Sequence, residues 1–352
     1  MSIGEKLFRT MLGKTFPSMS DFFVIYIFSF EYIYIMPNTF IKDIDITNLA
    51  TLKIYKTKEE PEYTTIEQFI DQINVCKTIL EDCITNRPQT QNSIPTINIY
   101  LGKDGWTKQT NTLGEAGGNI IRINQWNTGQ YYLNDTQQHQ NISVIIHEIF
   151  HVFGLFPNST GENISEKSDS EGTTRRIYTG ANGLNGYKKV LLANNITVPD
   201  PIYICLEDDF GPGTINVHLE EAYNSSSDKY EVIKIDTTTG EQFYPTLLNE
   251  IMSGLLDRDN NYITPITMGC LEDLEYTINY DSQYIVTNGT NMKFVINKKS
   301  KQLGTEKNYI TLDEDIYDIS YLNKVLKGGD VNNINILSEM VIEKWGQKIP
   351  SR

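Results

Sequence analysis

Apolar positions recur along this chain at spacings that predict a handful of elements. Ile66, Phe69, Ile70, Ile73, Cys76, Ile79, Leu80 and Cys83 follow one another at three- and four-residue steps. That period predicts an amphipathic helix, starting from an N-cap at Thr64 or Thr65 and ending near Asn86, ahead of Pro88. Residues 52–55, 96–101 and 119–126 read as strands, and the glycine-containing stretch 102–118 as a connection. Residues 141–153 predict a helix that is apolar on one side and stops at Gly154; residues 179–194 predict another. Residues 157–176 hold almost no large apolar side chain and read as a surface loop, while 196–224, with three prolines and two glycines, read as irregular. Short helices are expected over 243–256 and 266–274, strands over 293–296 and 309–312, and a closing amphipathic helix over 334–345.

The N-terminal pattern is ambiguous. Residues 22–36 (FFVIYIFSFEYIYIM) are apolar except at Ser29 and Glu31, and they follow Lys6, Arg9 and Lys14. The order is that of a secretion signal, but no small-x-small cleavage site follows; a buried strand fits the Ile-, Tyr- and Phe-rich run equally well. The run is short for a transmembrane helix, so stable membrane insertion is not expected.

Composition narrows the function classes. The 352 residues include 30 Lys and Arg against 45 Asp and Glu, for a formal charge of −15, and the pI is near 4.8. Such a chain lacks the basic footprint needed to grip nucleic acid as its main activity. Hydrophobic residues at 39% and charged residues at 21% are those of a globular protein. Four cysteines, Cys76, Cys83, Cys205 and Cys270, form no CxxC pair. Four unbridged thiols, or one bridge such as Cys205 to Cys270, are both compatible with that count. The clusters Glu207-Asp208-Asp209 and Asp313-Glu314-Asp315 read as solvated faces. Asp257-Arg258-Asp259-Asn260-Asn261 resembles a calcium loop but lacks the required glycine and closing glutamate, so it reads as a polar turn. His139, among glutamines, reads as a solvated residue near a helix start.

One segment demands a chemical explanation. His147-Glu148-Ile149-Phe150-His151 is HExxH, inside the 141–153 helix. The i,i+4 spacing sets both imidazoles on one face about a turn apart, so both can ligate one zinc ion. Glu148, next to the first ligand, can take a proton from water activated at the metal. With four histidines in the chain, chance placement gives this motif in on the order of one chain in a few hundred. A catalytic zinc generally has three protein ligands. In the short metzincin motif the third histidine stands three residues beyond the glycine that ends the helix; here that place is Pro157. Two candidates remain. Glu171 has the 20-residue spacing beyond His151 seen in thermolysin-like enzymes, though its segment shows no helical period. His218 lies 67 residues beyond His151.

The ordered series HEIFHVFG, YTGANGLNGY, VPDPI, EDDFGPGT, VHLEEA, NEIMSG and TMGCLEDLEYTINY resembles the leishmanolysin-type metallopeptidases, over about three-fifths of the chain from Ile66 to Tyr280. In that metzincin family an insertion separates the helix motif from a distant third histidine. The resemblance implies His147, His151 and His218 as ligands of one Zn2+ per chain, Glu148 as general base, and Met252 as the methionine of the turn beneath the metal. It implies an α+β metzincin-like zincin domain over 46–285, with a twisted mixed sheet, an active-site helix and a mostly irregular or helical lower subdomain. An N-terminal extension, 1–45, and a C-terminal extension, 286–352, flank it. It further implies zinc-dependent endopeptidase activity on a protein or peptide, and favours an extracellular or cell-surface setting. By the same likeness, 119–126 is the edge strand along which an extended peptide pairs. Leu219 departs from the tryptophan common in the family, residues 224–243 look inserted, and the chain is poorer in cysteine than extracellular members. Two rival readings are a catalytically silent binding protein on the same scaffold, which the intact base argues against, and a thermolysin-like zincin using Glu171.

Overall fold

The computed structural model describes residues 38–57, 65–90, 93–102, 113–124, 140–156, 163–169, 172–208, 215–224, 229–230, 233–238, 240–254, 261–289, 292–297 and 309–312. The 22–36 run, His139, Pro157, Glu171, residues 257–260 and the expected 334–345 helix lie outside them.

Strands β1 (Thr39–Ile46) and β2 (Ala50–Lys56) form an antiparallel hairpin. Helix α1 (Ile66–Cys83) follows, and its start is a capping box: the Gln68 N–H donates to Thr65 Oγ1 and the Thr65 N–H to Gln68 Oε1. The apolar period read from the sequence is its buried stripe, Phe69, Ile73, Cys76, Ile79, Leu80 and Cys83. The helix stops at Cys83 rather than near Asn86, because Ile84–Asn86 leaves as strand β3 to pair with the distant Thr277–Ile278. Strands β4 (Thr96–Gly102), β5 (Gly114–Gly117) and β6 (Ile120–Asn124) complete a five-stranded sheet in the order β1-β2-β4-β6-β5. The pairs β2–β4 and β4–β6 are parallel and β5–β6 antiparallel, so the sheet is mixed. Leu52, Ile54, Ile97, Ile99, Leu101, Ile121 and Ile123 alternate onto one face, where each is fully buried in a core shared with α1 and with helix α2 (Gln140–Val152). Asn141 Nδ2 donates to Gln72 Oε1 at 3.0 Å and ties α2 to α1.

Two sequence expectations fail here for one reason: the strands concerned carry no apolar alternation to read. The 119–126 segment is not the sheet edge. Its strand β6 is paired on both sides, by β4 and β5, and the edge is β5, inside the stretch read as a connection. Two residues of β5 are glycines and neither of the others is large, so no apolar alternation announces it. The 157–176 surface loop is likewise corrected. Strands β7 (Ile164–Ser168) and β8 (Thr174–Tyr178) form a hairpin, and β8 also pairs with β9 (Ile204–Cys205). Only Arg176, Ile177 and Tyr178 of that hairpin are buried, which leaves its sequence loop-like.

Helices α3 (Ala181–Ala193) and α4 (Pro265–Glu272) pack with unusually close backbones. A Cβ on Gly186 would lie 1.9 Å from the Pro265 carbonyl oxygen, and one on Gly269 2.3 Å from that of Asn182; only glycine permits this approach. Asp273 accepts the first N–H groups of α3, Asn182 and Gly183, each at 2.9 Å, together with the Tyr178 hydroxyl at 3.0 Å. These contacts join the YTGANG and TMGCLED segments. The helix expected over 243–256 is also corrected. Residues Gly240–Tyr244 pair with Ile233–Thr237, Thr246–Leu247 with Phe294–Val295, and the chain to Gly254 is turns. Pro245 has no N–H to donate, and the side chains of Asn249 and Glu250 accept backbone donors at Lys293 and Met252 that no helical ladder serves. Strand Phe294–Asn297 pairs parallel with Tyr309–Leu312, near the positions read as strands. The fold is α+β. Among the described residues no helix is long and apolar enough to cross a membrane.

Candidate metal centre

Helix α2 presents His147 and His151 one turn apart, with ring centroids 4.7 Å from each other. Each ring is oriented by a backbone carbonyl. His147 Nδ1 lies 2.7 Å from Ile251 O, and His151 Nδ1 lies 3.3 Å from Leu155 O. A carbonyl can only accept, so each Nδ1 carries a proton and each Nε2 is the nitrogen left to ligate. The Leu155 carbonyl reaches back because Gly154, at φ +103°, turns the chain as the helix ends, and the Leu155 N–H donates to Phe150 O at 3.1 Å. Desolvation pushes the His151 pKa from 6.5 down to about 4, against the pull of the Leu155 carbonyl. The ring is therefore the neutral imidazole that ligation requires.

His218 arrives from another part of the chain. Its carbonyl accepts the Glu207 N–H at 3.0 Å, and the next residue, Leu219, donates to Met252 O at 3.0 Å while bridging Leu206 and Ser253. So held, His218 Nε2 stands 3.0 Å from His147 Nε2 and 3.2 Å from His151 Nε2, and the two helix nitrogens are 3.0 Å apart. Three ring nitrogens at this spacing repel one another unless protons or a cation lie among them. The spacing suits an ion bound at the roughly 2.0–2.1 Å of zinc–imidazole bonds. His147, His151 and His218 form a group that could hold a metal ion, and the donor set of three imidazoles fits it. Glu148, 6% exposed, stands beside His147 on the helix. Met252 is fully buried, and its turn touches two of the three histidines' segments through the Ile251 and Met252 carbonyls. Glu171, the alternative third ligand, is outside the described residues; His218 completes the trio.

The turn under the site rests on a residue that sequence reasoning passed over. Glu250, 1% exposed, accepts the Met252 N–H at 2.6 Å and the hydroxyls of Thr264 and Thr267 at 2.9 and 2.6 Å. No local pattern marks it, since its two hydroxyl partners arrive from the cap and first turn of α4. Burial outweighs these donors and raises its pKa from 4.5 to about 7. The folded protein then holds this proton more tightly than the unfolded chain. The resulting stabilisation is complete below about pH 4.5 and is lost as pH rises through about 7, about 3 kcal/mol in all. Measured by urea unfolding from pH 4 to 8, stability relative to the non-titrating Glu250→Gln variant should decline across that window. A flat difference would show that folding does not raise the pKa of Glu250.

A second acidic group corrects the reading of Glu207 and Asp208 as part of a solvated face; Asp209 lies outside the described residues. Glu207 is fully buried, and its carboxylate lies with those of Asp208 and Glu220, ligand atoms within 4.8 Å of one another. Arg175 is their cation, 2.5 Å from Asp208 and 3.7 Å from Glu220. The four cysteines are free and buried, so no Cys205–Cys270 bridge forms. Compared with protein-family models, curated proteins and solved structures, the chain has no significant match.

Proposed function

We propose that this protein is a zinc-dependent endopeptidase of the leishmanolysin-like, metzincin type, acting on a protein or peptide. The observation that carries the reading is the meeting of three histidine Nε2 atoms, 3.0–3.2 Å apart, with a nearly buried carboxylate one residue from the first of them. A zinc ion on His147, His151 and His218 would supply Lewis-acid activation of water and of the scissile carbonyl. Glu148 accepts a proton from the attacking water and delivers it to the departing amine, acting as general base and then general acid. The carbonyls of Ile251 and Leu155 keep the histidine rings turned toward the ion. An extended peptide pairs by main-chain bonds with the outer edge of β5, whose other edge is taken by β6.

Metal analysis of the purified protein, with casein-type hydrolysis measured before and after chelation, tests the reading. One zinc per chain is expected, with hydrolysis lost on chelation and restored by zinc. Stoichiometric zinc without hydrolysis would point instead to a silent binding protein on the same scaffold. Hydrolysis indifferent to chelation would remove the metallopeptidase reading altogether.

A further inference from the structure

Strand β5 carries two glycines of different character. At Gly117 an added Cβ would meet nothing within 4 Å. At Gly114 it would lie 2.7 Å from Glu148 Oε1, 3.0 Å from Glu148 Cγ and 3.0 Å from Val144 Cγ1. Val144 and Glu148 are one turn apart on α2, so they flank the point where the sheet edge passes over the helix. Gly114 pairs with Ile123 in the β5–β6 register, and the neighbouring Leu113 carbonyl accepts the Asn124 N–H at 2.9 Å. The strand is thereby fixed from its other side, and α2 is fixed by its own ladder and by α1. The nearest atom an added Cβ would meet is thus the tip of a flexible side chain, the Glu148 carboxylate, rather than backbone.

We propose that Gly114 is a positioning residue for Glu148: the missing side chain on the edge strand leaves the space in which the carboxylate of the base sits. The inference rests on the endopeptidase reading for its catalytic consequence but not for its geometry. A methyl group at 114 displaces the carboxylate while leaving the strand register, the three histidines and the fold in place. Misplacement of a catalytic group by about 1 Å can cost about a hundredfold in rate, so a tenfold to hundredfold loss is expected, in kcat rather than KM.

The test compares wild type, Gly114→Ala, Glu148→Asp and the double variant, each assayed for kcat, KM, zinc content and melting temperature. A crystal structure of metal-free Gly114→Ala accompanies them. Gly114→Ala should keep zinc and melting temperature, hold KM within about threefold and lose at least tenfold in kcat. In the Glu148→Asp background, whose carboxylate is one methylene shorter, the same substitution should cost less than threefold. The crystal structure should show the Glu148 carboxylate moved from its place beside β5. Equal losses in both backgrounds, or a kcat within twofold of wild type, would overturn the proposal. A parallel fall in kcat, zinc content and melting temperature would also do so, since it would make Gly114 a packing residue. If wild type with zinc hydrolyses no peptide, the endopeptidase reading fails, and the crystal structure alone decides whether Gly114 places Glu148.

Discussion

Glu148→Ala should keep the fold and one zinc per chain yet lose at least a hundredfold in peptide hydrolysis. The three nitrogens are supplied and oriented without Glu148: two ring orientations are set by the Ile251 and Leu155 carbonyls, and the His218 segment by its bridges to Leu206 and Ser253. On the proposed reading, removing the carboxylate leaves the three histidine nitrogens in place and takes away the proton acceptor. General acid–base assistance is worth roughly 10²–10⁴-fold, which sets the expected loss. Glu148 is buried beside Val144 and β5, so truncation also opens a small cavity, and the melting temperature checks that the fold survives it. Peptide hydrolysis near the wild-type rate, with zinc bound, would exclude Glu148 as the general base.

His218→Ala should fail differently, losing the metal together with the rate. Losing a partner that only orients a ligand lowers metal affinity by about 10–100-fold, and loss of a ligand itself should exceed that. Because His218 is 8% exposed and its segment is held by backbone bonds at Glu207 and Met252 rather than by the imidazole, the surrounding strands should persist. Zinc titration of the metal-free variant measures the first effect and hydrolysis at saturating zinc the second. An affinity equal to wild type would remove His218 from the ligand set and return attention to Glu171.

These two experiments separate roles that lie at different depths in the sequence. The α1 and α2 stripes are legible because a helix repeats its buried positions every three or four residues, whatever it packs against. The Thr65 cap is legible for the same local reason. Ile84–Asn86 is not, because its β-branched residues leave the helix for Thr277–Ile278, almost two hundred residues away. The β7–β8 hairpin and β5 were missed because largely exposed or glycine-rich strands carry no alternation to read. The 243–256 segment has enough apolar residues for a helix, yet Pro245 has no N–H to give and the Glu250 side chain takes the Met252 N–H.

At the site the sequence by itself determined two of the candidate ligands and the candidate base. HExxH on a helix makes a pair of imidazoles and an adjacent carboxylate by helical geometry alone, before any tertiary contact exists. Residue identity and a resemblance could nominate His218 and Met252. Only the tertiary structure brought His218 Nε2 within 3.2 Å of both helix histidines, through backbone bonds to Glu207 and Met252 that no spacing rule encodes. The tertiary structure also decided that β5, not β6, is the edge of the sheet among the described residues, that Gly114 borders Glu148, and that Glu250 underpins the turn carrying Met252. Helical periodicity is a property of neighbours in the chain, whereas a strand's edge and a buried carboxylate's donors are set by segments that meet only when the chain has folded.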